Sequence, residues 1–302
     1  MKKLLVNISR GFLVMMSWLP LKFHYFMGRI LAWMMRKIFR YRYSVVLTNV
    51  ARSFPEKSYK QVARIADGFY VHLGELIAET IWFSGSKPER LCKSGIVNFT
   101  NPELLAEYFE KSPSMTVLST HCGNWELLGG IFAYLKKSGC TYPFTPEHMR
   151  VVYKKLSSDV ADEVFKRNRV YPIGEGREQC TVESSNILRY IVAHRNQKKI
   201  YVYPTDQAPY YRVGKHFVGQ FMNQPTNTMQ GSVGLACKLS HSVMYLKMRR
   251  VERGRYDMTL IPICEDASEF TPEELIRKYY DLLEEEIRET PSNWLWSHKR
   301  WK

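Results

Sequence analysis

A short apolar, β-branched run that ends on a histidine and turns at once into a helical pattern constrains this chain more than any other stretch. Met115 to Thr120 is apolar enough for a buried strand. Asn124, followed by Trp125, Glu126, Leu127 and Leu128, opens a helical pattern on an N-cap residue. The stretch therefore reads strand, tight turn, helix. His121 falls in the turn and Glu126 in the first helical turn, so the two side chains can converge although five positions separate them. The expected chemistry is general-base catalysis: the imidazole takes a proton from a hydroxyl, and Glu126 holds the tautomer and stabilises the imidazolium. Gly123 permits the close turn, and the helix N-terminus offers N–H groups to an oxyanion or a phosphate. Spacing alone leaves the alternative open, because an isolated H-x-x-x-x-E arises by chance and a histidine at a strand end is often only a satisfied polar group.

Further α/β signals surround this stretch. Ser58 caps a long helix whose apolar face carries Val62, Ile65, Ala66, Phe69, Leu73, Leu76, Ile77 and Ile81. After the Glu126 helix, Arg150 to Lys155 reads as a strand, Ser157 to Asn168 as a helix and Val170 to Ile173 as a short strand. Thr181 to Asn196 reads as helical. Lys199 to Pro204 is an apolar strand leading into Thr205-Asp206-Gln207, which places Asp206 at the carboxyl edge of a sheet, where ligands bind, or makes it a turn cap. Tyr210 to Thr228, with Gly214, reads as an irregular loop and Met229 to Leu239 as a helix. Val243 to Arg249 and Tyr256 to Ile263 are strands joined by a turn. Thr271-Pro272-Glu273-Glu274 is a capping box that starts a helix running to about Glu289.

Charge narrows the partners. The 302 residues carry a formal charge of +15, which implies an anionic partner. Lys2, Lys3, Arg10, Lys22, Arg29, Arg36, Lys37, Arg40 and Arg42 are interleaved with Leu, Phe, Met, Trp and Tyr, and no acidic residue precedes Glu56. Gly11 to Leu21 and Tyr25 to Met35 are each shorter than the roughly 20 residues of a full span. A helix or broken pair lying in a membrane interface fits this pattern, with Trp18 and Trp33 at headgroup depth. A helix packed on its own domain is the alternative. The expected organisation is a membrane-anchoring segment over residues 1–42 and a single catalytic domain over 43–302. Six scattered cysteines without a C-x-x-C pair favour a reducing compartment and argue against structural zinc. The C-terminal stretch Asn293 to Lys302 holds three Trp and four basic groups, which suits interfacial anchoring, a lid over an anionic ligand, or a packed tail.

The string H-C-G-N-W-E, His121 to Glu126, resembles the H-x-x-x-x-D/E signature of glycerolipid acyltransferases, and particularly the H-F-G-N-W-E form of the lipid A biosynthesis acyltransferases, with Cys122 in place of the aromatic. Asn49 to Glu56 and the tail W-L-W-S-H-K-R-W-K also resemble that family. The resemblance implies a glycerolipid-acyltransferase-like α/β fold, a mixed sheet flanked by helices with a membrane-associated N-terminal helical segment. It further implies transfer of a fatty acyl chain from acyl carrier protein to a hydroxyl of a phosphorylated lipid A precursor, at the cytoplasmic face of the inner membrane. Catalysis then falls to His121 and Glu126. Substrate contacts fall to Asn124, to Lys154, Arg167 and Arg169 for phosphates and the thioester, to Asp206 and Gln207, and to His298 and Arg300. Lys155 stands where the family usually has Pro. No metal or organic cofactor is expected, because the thioester already carries an activated acyl group.

Rival readings are weaker. A Cys122/His121 thiol hydrolase needs both side chains on one face, and neighbours in an extended segment point to opposite faces. A nucleic-acid-binding module would use the charge, but the chain carries no recognised motif for it. A related acyltransferase acting on another amphiphile, such as an aminolipid or glycolipid, is the serious runner-up.

Overall fold

The computed structural model describes residues 2–174, 176, 180–209 and 216–301. The chain begins with α1 (Lys2–Ser17) and α2 (Leu21–Trp33), the latter continued by a π-helical turn (Met34–Ile38), then α3 (Tyr43–Ser53), α4 (Tyr59–Phe83) and α5 (Pro88–Ser94). β1 (Val97–Phe99), α6 (Glu103–Lys111) and β2 (Met115–Ser119) follow, then α7 (Ile131–Ser138), β3 (Met149–Tyr153), α8 (Asp159–Val170), β4 (Thr181–Glu183), α9 (Ile187–Ala193) and β5 (Ile200–Pro204). The last part holds β6 (His216–Phe221), β7 (Gln224–Thr228), α10 (Gly231–Lys238), β8 (Ser242–Glu252), β9 (Arg255–Cys264) and α11 (Pro272–Glu289).

Seven of these strands form one mixed sheet in the order β1-β9-β8-β2-β5-β3-β4, parallel throughout except for the antiparallel β8–β9 pair. β2 is central, and every residue in it is buried. A strand covered on both faces requires a continuous apolar run, which Met115 to Leu118 supplies. One helical layer, with α4, α10 and α11, buries Phe69, Tyr70, Val233, Tyr279, Tyr280 and Leu283. The opposite cluster packs Trp82, Leu127, Tyr134 and Phe144 against Val117, Val202 and Met244. The expected mixed sheet flanked by helices is therefore present.

Register places the site. β2 and β5 run parallel with Ser119 beside Pro204, so the residues that leave the two strands, His121 and Asp206, emerge side by side at the carboxyl edge of the sheet.

The N-terminal segment is docked on the rest of the fold. The α2 and α4 backbones cross in contact at Gly28 and Gly74, where a Cβ on either glycine would come within 2.5 Å of the other's carbonyl oxygen. Tyr25 Oη of α2 donates to Glu79 of α4 at 2.8 Å. The outer faces of α1 and α2 leave Leu4, Ile8, Phe12, Trp18, Phe26 and Trp33 exposed. No single helix among the described residues is long and apolar enough to cross a membrane; α1 and the α2 rod pass that test only together, bent by 114° at Pro20. The cut at residue 42 thus separates two pieces of one packed body.

Several local expectations are corrected. Val170 to Ile173 is the end of α8 and a 3-10 turn (Tyr171–Ile173), because Pro172 cannot supply a ladder N–H. Thr181 to Asn196 splits into β4 and α9: Thr181 and Val182 pair with Val151 and Val152 before the helix starts at Ile187. The expected loop over 210–228 becomes the hairpin β6–β7 from His216 onward, turning at Met222 and Asn223, both in the left-handed region. Gly214 lies outside the described residues. The tail is a packed one: Trp294 and Trp296 are buried, Trp294 edge-on to Trp296 and to Phe221.

Candidate active site

His121 lies just past β2 with its side chain partly exposed. Its Nδ1 and Asp206 Oδ1 are 2.6 Å apart, and its backbone N–H donates to Asp206 Oδ2 at 3.0 Å. Trp294 Nε1 also donates to Oδ2, at 2.8 Å. Asp206 is completely buried. Burial pushes its carboxyl up, yet the His121 charge and these hydrogen bonds outweigh burial and hold it below the ordinary aspartate value. An ionised acceptor at that oxygen fixes the proton on Nδ1 and leaves the lone pair on Nε2.

The carboxylate on His121 Nδ1 is therefore Asp206, which corrects the tautomer-holding part of the role expected for Glu126 and leaves its electrostatic part in place. Glu126 is the second residue of a 3-10 turn (Trp125–Gly130) ahead of α7, and its carboxylate is engaged elsewhere. Its oxygens accept from Arg169 Nε at 2.7 Å and Nη2 at 2.6 Å, and from Trp125 Nε1 at 3.1 Å. Burial raises the Glu126 carboxyl, but the Arg169 guanidinium more than offsets this and lowers it below the ordinary glutamate value. The Trp125 ring stands edge-on to the His121 ring at 4.8 Å, so the His121–Asp206 contact and the Arg169–Glu126 ion pair flank one aromatic wall.

Backbone contacts lock the turn between them. Gly123 has φ +57°, and a Cβ there would lie 2.3 Å from the Met248 carbonyl oxygen, so only glycine fits. Gly123 N donates to Asn293 O at 3.0 Å, and Cys122 forms an antiparallel bridge with Trp294. His72 of α4 bonds the Gly123 carbonyl through Nε2 at 3.0 Å. The C-terminal segment is thus the clamp on the histidine turn and the donor to its carboxylate. Trp294, absent from the residues expected at the site, carries both roles; its only signal in the sequence is the tail motif.

The profile of the bacterial lipid A biosynthesis acyltransferases matches residues 2–302. The chain belongs to that family. It is accordingly an acyltransferase of lipid A biosynthesis. Among curated proteins, none matches the chain.

The lipid A acyltransferase brings together only part of the expected set. Arg169 and Asp206 join His121 and Glu126, and Gln207 sits partly buried beside Asp206. Lys154 is exposed just past β3, on the same carboxyl edge of the sheet. Asn124 is completely buried, with Nδ2 on Glu79 at 2.8 Å and Oδ1 accepting from Glu126 N at 3.2 Å, so its amide supports the turn instead of facing substrate. Arg167 lies two residues before Arg169, turns away from the pair and bonds Glu163 Oε1 at 2.7 Å. Arg300 is buried and donates to Tyr280 Oη at 2.8 Å, inside the packed tail. The His298 carbonyl accepts from Asn49 at 2.9 Å, tying the tail to α3. Among the described residues no group of three or more His, Cys, Asp or Glu is placed to share a metal ion.

Proposed function

We propose that the enzyme moves an acyl chain from the thioester of acyl carrier protein directly to a hydroxyl of a phosphorylated lipid A precursor, with His121 as general base. One observation carries this reading: the Nδ1 contact to buried, ionised Asp206 leaves Nε2 as the basic nitrogen of a partly exposed imidazole. The acceptor hydroxyl gives its proton to Nε2 as its oxygen forms a bond to the thioester carbonyl carbon. Asp206 and Glu126 stabilise the imidazolium, and the Arg169 guanidinium, held in place by Glu126, supplies positive charge for the developing oxyanion. The tetrahedral intermediate then expels the thiolate, which takes the proton from His121.

The thioester brings the activated acyl group, so this scheme uses no metal or organic cofactor. Acyl carrier protein is acidic, which suits a chain of formal charge +15. A cleft of about 630 Å³ between α1 and α8, lined by Arg10, Lys166, Arg167 and Tyr171, offers cations for a phosphate of the acceptor. The exposed apolar face of α1 and α2 would rest in the inner membrane from its cytoplasmic side, where acyl carrier protein is present.

The test is a mixed-micelle assay with acyl carrier thioester and the phosphorylated precursor, read by mass spectrometry. The expected product is the precursor plus one acyl chain, and His121→Ala is expected to lower turnover by about two to four orders of magnitude. No acylated precursor from the wild-type enzyme, or a near-native rate in the variant, overturns the reading.

A further inference from the structure

One fully buried carboxylate near the site is not touched by the mechanism. Glu79 lies in the middle of α4 with no exposed surface and makes no ion pair among the described residues. It accepts three hydrogen bonds from three separate parts of the chain: Tyr25 Oη of α2 on Oε1 at 2.8 Å, and Tyr256 Oη of β9 and Asn124 Nδ2 of the histidine turn on Oε2, each at 2.8 Å. A buried carboxylate without a cation is costly, and an apolar side chain of similar volume would cost less. The group's value lies in its geometry.

That geometry bears on the orientation of one amide. Burial raises the Glu79 carboxyl while the bonds from Asn124, Tyr25 and Tyr256 pull it back; accepting from all three, it has Asn124 present its NH2 group to Glu79 and its carbonyl to the other side, where the Glu126 N–H waits at 3.2 Å. The reversed amide would face an N–H with an NH2, and the second residue of the 3-10 turn would lose its cap. Glu126, the base of the Arg169 pair, is that residue.

We infer that Glu79 is a positioning residue for the acyl transfer: through the Asn124 amide it fixes the backbone from which Glu126 holds Arg169, and through Tyr25 it ties that backbone to the membrane-facing helix α2. This rests on the roles proposed above for Glu126 and Arg169. Its activity-free half, the amide orientation, stands by itself.

A charge swap tests it. Asn124→Asp sets two carboxylates face to face. Glu79→Gln alone keeps the match, because its carbonyl can take the Oε2 position before Asn124 and Tyr256 while its NH2 donates to Tyr25 Oη. In the double variant the glutamine turns its NH2 to the introduced aspartate and Tyr256 Oη, and that aspartate still accepts from the Glu126 N–H. Asn124→Asp is expected to lower kcat per folded molecule about 10- to 100-fold with KM for both substrates nearly unchanged, and the double variant to recover at least about tenfold over it. Glu79→Leu, which removes the acceptor that orients the amide, is expected to lose as much as Asn124→Asp. In parallel, the indole N–H resonance of Trp125, which bonds Glu126 and packs on His121, should shift or broaden in Asn124→Asp and Glu79→Leu and return in the double. That readout needs no turnover, so it separates failure of this inference from failure of the proposed reaction. A double variant no better than Asn124→Asp in either readout overturns it. So does native kcat per folded molecule in both Asn124→Asp and Glu79→Leu with only yield or melting temperature affected. Should Asn124→Asp not fold alone, the comparison runs between Glu79→Leu and the double.

Discussion

Trp294 donates its indole N–H to the oxygen of Asp206 that also receives the His121 backbone N–H, so a residue near the C-terminus holds the carboxylate on which the histidine leans. Two donors on Oδ2 make Asp206→Asn informative. Asn would turn its carbonyl toward those donors and its NH2 toward His121 Nδ1, driving the imidazole proton to Nε2 and removing the base. The expected loss in kcat is about three to four orders of magnitude, the scale of a wrong-tautomer histidine, with KM changed little. Trp294→Phe keeps the ring and removes one donor, and should cost far less. Steady-state kinetics decide; an Asp206→Asn enzyme within tenfold of wild type would return the orienting role to Glu126.

Direct transfer predicts no covalent acyl-enzyme. Cys122 is buried, and burial pushes its thiol well above the ordinary range, which leaves no thiolate to attack. Thr120 Oγ1 accepts from Cys122 N at 3.1 Å, and Ser119 is buried within the end of β2. Enzyme incubated with acyl carrier thioester and no acceptor should keep its unmodified intact mass. An adduct of one acyl chain, lost in Ser119→Ala or Cys122→Ala, would establish a two-step route.

Glu286 supplies a pH signature of folding. Burial lifts its carboxyl from about 4.5 to about 7, while Tyr245 Oη and Met248 N donate to it under the histidine turn. A folded-state value above the unfolded one means the native state holds the proton more tightly, so stability falls as pH rises from 4.5 to 7 and levels off above. The cost at pH 8 is at most about 3 kcal/mol. Glu286→Gln can keep both contacts without ionising. Its melting temperature should exceed that of wild type by a margin that grows between pH 4.5 and 7; a margin constant with pH would remove Glu286 as the source.

The N-terminal helices should separate into two functions by face. Phe12, Trp18, Phe26 and Trp33 are each more than half exposed, so replacing all four with Gln should leave the melting temperature unchanged. Partition onto anionic vesicles should drop more than about 100-fold. Deleting residues 2–38, by contrast, uncovers Gly74 and strips a donor from Glu79, and should yield unfolded protein. Co-sedimentation and thermal melts distinguish the outcomes, and a stable deletion variant would make the segment a detachable anchor.

The sequence was most readable where local chemistry decides the structure. The β2 run, the Ser58 and Thr271 caps and the strand before Asp206 follow from nearest neighbours in the chain, and each is present, with Ser58 N on Gln61 Oε1 and Thr271 N on Glu274 Oε2, both at 2.8 Å. The partner of His121 was not readable, because it depends on β5 lying beside β2 in one register, a fact carried by the packing of the whole sheet. The partner of Glu126 is not legible in the sequence either: a helix start faces whatever stands opposite, and α8 brings Arg169 there. The tail misled through composition. Three Trp beside basic groups suit a membrane interface equally well, and only the aromatic contacts of Trp294 and Trp296 place them inside.

The bridge between Cys122 and Trp294 also sets an order of events during synthesis. His121, Asp206, Glu126 and Arg169 all leave the ribosome well before Trp294 does. A nascent chain can assemble its sheet while the carboxylate that holds the imidazole still lacks the indole donor. The full set of contacts on the imidazole and its carboxylate then closes only once Asn293 and Trp294 have joined the histidine turn.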